Sequence, residues 1–85
     1  MAAAAASWAR RRMADVRAEG RSIAGGWPGT RSEARRVVAE QVAASGARPS
    51  HDEIEYLVTR AYSRARETWL AGAVGDDDPT ELGTR

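Results

Sequence analysis

The sequence predicts an all-α fold: a small three-helix domain built on a C-terminal helical hairpin and followed by a flexible acidic tail. Three observations predict it. Two capping boxes, Thr30-x-x-Glu33 and Ser50-x-x-Glu53, each open a stretch with helical apolar spacing. The second stretch carries Ile54, Leu57, Val58, Ala61, Tyr62, Ala65 and Trp69, an i, i+3, i+4, i+7, i+8 series held for about four turns. No four-residue run alternates with the β-branched or aromatic enrichment of a strand.

Taken in chain order, residues 1–24 form a basic segment rich in Ala and Arg. Good helix formers fill about residues 3–19, and Gly20 is placed to end the helix. Ala5, Trp8, Ala9, Arg12, Met13 and Val16 share one broad side, with Arg10 and Arg17 outside it. Such a weak stripe predicts a helix that docks on the rest of the domain. Residues 25–29, Gly25-Gly26-Trp27-Pro28-Gly29, read as a linker that regular helix cannot enter, with Trp27 expected to cap the core over Pro28.

Residues 30–72 are the expected hairpin core. Its first helix spans about residues 31–45, with Ala34, Val37, Val38, Gln41 and Val42 inside and Ser45-Gly46 as the stop. After a short loop, Pro49 and Ile54 take the positions of a hydrophobic staple, and Asp52 adds favourable charge at the start of the second helix. That helix should end near Ala71 or Gly72. Residues 73–85 then read as the flexible acidic tail: from Gly75 onward three consecutive Asp, Pro79 and Gly83 leave almost nothing to bury.

Composition narrows the function classes. The 85 residues suit one domain, but there is no Phe, and Ala makes up much of the hydrophobic content, so the core is small for its length. Small domains gain stability from disulfides, metals or association, and here Cys is absent and His occurs once. Association is the remaining route. All thirteen basic residues are Arg, a bias attributed first to GC-rich coding, and the charge is sorted by end: residues 1–24 hold five Arg against two acids, and residues 76–85 four acids against one Arg.

No apolar run approaches the roughly 20 residues of a membrane span, so no membrane role is expected. The Ala run precedes the Arg cluster, the reverse of a secretory signal. The same segment has the bias of an organelle transit peptide, against which Asp15 and Glu19 weigh. The expected compartment is the cytoplasm, with an organelle matrix as the alternative.

Catalytic, cofactor and metal sites are not expected. His51 follows an N-cap serine beside two acids, where it is an exposed first-turn residue lacking companion ligands or a nucleophile to serve. Asp76-Asp77-Asp78 has neither the alternation nor the distal Glu of a calcium loop, and the glycines around Trp27 do not form a phosphate cradle.

Partner binding has a clearer footprint. Tyr56 and Leu70 project away from the apolar stripe of the last helix, and Arg60, Arg64 and Glu67 form a polar strip beside Tyr56. Tyr and Arg are types enriched at interaction hot spots. The expectation is a non-catalytic protein interaction module, binding a protein partner or itself through Tyr56, Arg60, Arg64 and Leu70, with Trp8 as a further candidate. The alternative is a nucleic-acid-associated protein using Arg10, Arg11, Arg12, Arg17 and Arg21. A groove-reading helix-turn-helix is disfavoured, since His51, Asp52, Glu53 and Glu55 would set three carboxylates against a polyanion.

Overall fold

The computed structural model describes residues 2–77, with side chains described for 3–73, and shows an all-α domain of three helices with no strand among the described residues. Helix α1 spans Ala2–Ala18, a 3₁₀ turn follows at Ile23–Gly25, α2 spans Arg31–Ser45 and α3 spans His51–Asp77. Residues 78–85, most of the expected acidic tail, lie outside the described residues.

Each boundary has a local cause. Past the end of α1, Gly20 takes φ +77°, a left-handed conformation that costs glycine little. The Gly20 N–H donates to the Arg17 carbonyl at 2.9 Å and the Arg21 N–H to the Val16 carbonyl at 3.0 Å, the Schellman pattern of paired C-terminal bonds. Ser22 caps the 3₁₀ turn, its Oγ accepting from the Ala24 N–H at 3.0 Å.

Thr30 caps α2 by accepting the Glu33 N–H at 3.1 Å. The reciprocal half of that box is not made, because the Glu33 carboxylate turns toward α1 instead. At α3 both halves form: the Ser50 N–H donates to Glu53 Oε1 at 2.7 Å, and the Glu53 N–H to Ser50 Oγ at 3.2 Å.

Helix α3 does not stop at Gly72. It continues to Asp77, and Gly72 serves as a contact point where α1 comes close: a Cβ there would lie 2.7 Å from Met13 Cε. A residue expected to mark a helix end instead makes room for a neighbouring side chain. Helix α1 packs against α3 more extensively than α2 does. The third helix is thus the spine of the domain, with the other two laid on it.

The core has two parts. Ala5, Trp8 and Ala9 of α1 meet Ala34, Val37 and Val38 of α2 and Val58, Ala61 and Ala65 of α3. Toward the other end of α1, Met13, Val16, Ile23 and Trp69 form a second cluster. Trp27 packs against both clusters from the loop between α1 and α2. Its ring meets Trp8, Trp69 and Tyr62 edge to face at centroid distances of 5.1, 5.5 and 6.2 Å, geometries that suit the aromatic quadrupole. A Cβ at Gly29 would fall within the Trp27 ring, so the loop needs glycine there.

Two details of the expected core change. Gln41, assigned to the inner face of α2, is exposed on the rim of a shallow groove with Ser7 and Glu40, because the buried stripe of α2 is limited to Ala34, Val37 and Val38 with Val42 half-buried. Ile23, assigned no packing role, is completely buried.

Candidate functional site

Because α1 and α2 occupy one side of α3, the helix turns its other side to solvent, and that side holds the residues singled out by spacing. Tyr56 is 61 % exposed and Leu70 40 %, the two large hydrophobic residues most at odds with their surroundings. The Arg60 guanidinium stands 5.8 Å from the centroid of the Tyr56 ring, one helical turn on, within reach of a cation–π contact. Arg60, Ser63, Arg64 and Glu67 line a shallow depression of about 220 Å³ further along. Arg64 is exposed, and its carbonyl accepts the Thr68 hydroxyl at 3.0 Å. Arg60, Arg64 and Glu67 make no ion pair among the described residues.

Trp8 does not belong to this surface. It is 4 % exposed, held between the helices by Trp27, and its indole N–H donates to Glu33 Oε1 at 3.3 Å. Burying a tryptophan is favourable once its N–H finds an acceptor, and Glu33 supplies one. The partners of Trp8 lie 19 and 25 positions away in sequence, so the periodicity of α1 alone carries no signal for this contact.

The five arginines of the alternative reading do not lie on one face. Arg10, Arg11 and Arg12 are consecutive, so they leave the helix about 100° apart. Arg12 is half-buried with Nε 3.8 Å from Glu33 Oε1, and Arg21 pairs with Glu19 at 2.7 Å. Arg17 is engaged by another group, while Arg11 lines a groove together with Glu33, Arg36 and Glu40. Acidic neighbours reduce the field that these cations would present to phosphates.

A different charged cluster ties α2 to α3. Arg35 reaches Glu55 with both terminal nitrogens, and Arg31 lies 3.8 Å from the same carboxylate and donates to Thr59 Oγ1 at 3.4 Å. The Arg35 hydrogen bonds hold the Glu55 carboxyl below the usual glutamate range, with further help from the charges of Arg35, His51 and Arg31, and they raise Arg35 in turn. His51 itself is exposed at the first turn of α3. Arg31, Arg35 and Glu55 thus join α2 to α3.

A half-open cleft of about 500 Å³ lies beside the loop, lined among others by Val16, Arg21, Trp27, Pro28 and Trp69. The indole nitrogens of Trp27 and Trp69 have no hydrogen-bond partner, but both are buried and so are not presented to a molecule in the cleft. Among the described residues, no group of three or more His, Asp or Glu converges as it would around a metal ion, and no helix is long and apolar enough to cross a membrane. Compared with protein-family models, curated proteins and solved structures, the chain matches none of them.

Proposed function

We propose that this chain is a small non-catalytic protein–protein interaction module, an adaptor, regulatory or structural subunit of a larger assembly, that docks through the outer side of α3. The observation that carries the reading is Tyr56, 61 % exposed with Arg60 over its ring and Leu70 further along the same helix. A tyrosine ring offers large contact area for few rotatable bonds, and an arginine lying along it arrives partly preorganised. The small core is a second support, since any partner that binds only the folded chain adds to its stability. We place its work in the cytoplasm, where a chain without cysteine is indifferent to reducing conditions.

The test is Tyr56→Ala combined with Arg60→Ala. Both positions are exposed, so the helical circular dichroism and melting midpoint should match the parent's, a change within about 0.5 kcal/mol. Association, followed by light scattering and by capture with the tagged chain, should weaken by about 30-fold or more, as hot-spot truncation does. A folded double variant that keeps every association of the parent would overturn the reading.

A further inference from the structure

We propose that the partner taken by this face is a second copy of the same chain, with the two α3 helices antiparallel across a twofold axis beside Ser63. The inference rests on the interaction reading above and names its partner. At about 100° per residue, Tyr56, Arg60, Ser63, Glu67 and Leu70 fall in one strip about 80° wide, running about 21 Å along the helix. The strip has the same kind of residue at matching distances from its centre. A large apolar side chain stands at each end, a charge lies inside each end with opposite signs, and a small hydroxyl sits in the middle.

Reversed and laid on itself, the strip sets Tyr56 against Leu70 of the second copy, Ser63 against its own equivalent, and Arg60 within one residue of Glu67 of the second copy. A closed twofold contact requires a surface complementary to itself; along this strip Tyr56 matches Leu70 and Arg60 matches Glu67, while exposed Arg66, level with Arg60 of the second copy, stands about 120° away on the other flank. A parallel arrangement would instead set Arg60 against Arg60 and Glu67 against Glu67, with repulsion in both layers. Ser63 is small enough to let the helix axes approach at the centre, where Arg60, Ser63, Arg64 and Glu67 already leave a depression of about 220 Å³.

Apart from the contact of Arg60 with the Tyr56 ring, the charges of the strip are unpaired within the described residues. Glu67 and Arg60 make no ion pair among the described residues, whereas Glu55 and Arg35 on the inner flank are spent on joining α2 to α3. Arg64 stands on the same flank as Arg60 and adds a second cation near Glu67 of the other copy. One helix pair covers less than the roughly 800 Å² per partner of a standard interface, so the dimer is weak and its affinity falls with salt.

Sedimentation equilibrium on the full chain over a concentration series tests this, with circular dichroism as the check on folding. The parent should show a monomer–dimer equilibrium that high salt shifts toward monomer. Arg60→Glu alone and Glu67→Arg alone should each weaken the dimer by about tenfold or more, since each makes like charges face one another. The double variant Arg60→Glu with Glu67→Arg should recover the parent's dimer constant within about threefold, and an equimolar mixture of the two single variants should recover a mixed dimer, because both restore opposite charges.

A parent that stays monomeric to about 1 mM, or a double variant as dissociated as the singles, overturns the self-pairing. If the parent is monomeric yet Tyr56→Ala with Arg60→Ala abolishes capture of another protein, the self-pairing falls and the interaction reading stands. If a dimer persists unchanged in all of these variants, the self-pairing falls, because the copies meet elsewhere; the interaction reading falls with it when capture of another protein by Tyr56→Ala with Arg60→Ala also matches the parent's.

Discussion

The inner and outer sides of α3 differ in what each asks of its residues. On the inner side Val58, Ala61, Ala65 and Trp69 are almost completely buried, and the two alanines contribute little apolar area of their own. What they contribute is closeness: small side chains let α1 and α2 lie near the axis of α3, and Gly72 extends that closeness to Met13. The area is supplied by a few large groups, above all Trp69, Ile23 and the Trp27 ring that joins the two clusters. On the outer side the large groups are exposed and, among the described residues, Arg60, Arg64 and Glu67 make no ion pair. On the proposed function one helix separates stability from recognition, and substitutions on its two sides should have separable effects.

The largest effect should come from the inner side. Trp69→Ala removes the largest fully buried side chain and should cost about 3 to 5 kcal/mol, enough to abolish a cooperative melt in a domain of this size. Val58→Ala, in the other cluster, should cost about 1 to 3 kcal/mol. Thermal denaturation followed by circular dichroism reads both. If the two variants melt within about a degree of the parent, the inner side has been assigned to the wrong residues.

A smaller effect belongs to the seam between α2 and α3. The Glu55 carboxyl is held low by Arg35, so its contribution is fully present above the ordinary glutamate value of about 4.3 and is lost as pH falls through its lower folded value. Glu55 and Arg35 are solvated, so this contribution is minor. Denaturant midpoints between pH 7 and pH 3 should therefore fall slightly more steeply for the parent than for Glu55→Gln. Equal slopes would show that the Arg35 bridge does not persist in solution.

How much of this was legible in the sequence depended on how local the cause was. The starts of α2 and α3 follow from Thr30 and Ser50, whose hydroxyls act on backbone three residues away. Gly20 ends α1 for a similarly local reason. The outer side was also legible, because a long buried stripe sets the phase of α3 and so places Tyr56, Arg60 and Leu70 opposite it. What could not be seen depends on distant partners. Gly72 ends no helix because Met13 packs there, and tertiary contact overrides the low helix propensity of glycine. Trp8 is core because Trp27 and Glu33 come to it, and the same contact explains why Glu33 leaves its half of the capping box unmade. Ile23 sits in a single 3₁₀ turn, too short to show any period.

The smallest perturbation is also the most direct probe of the central claim, that α3 binds through its outer side while its inner side holds the fold. Amide nitrogen–proton spectra of the unmodified chain, recorded over a dilution series, follow association residue by residue. Concentration-dependent shifts should concentrate at Tyr56, Arg60, Ser63, Glu67 and Leu70, with Val58, Ala61 and Ala65 steady. Shifts that instead gather on Arg10, Arg11 and Arg36, with the outer side of α3 unmoved, would contradict that claim.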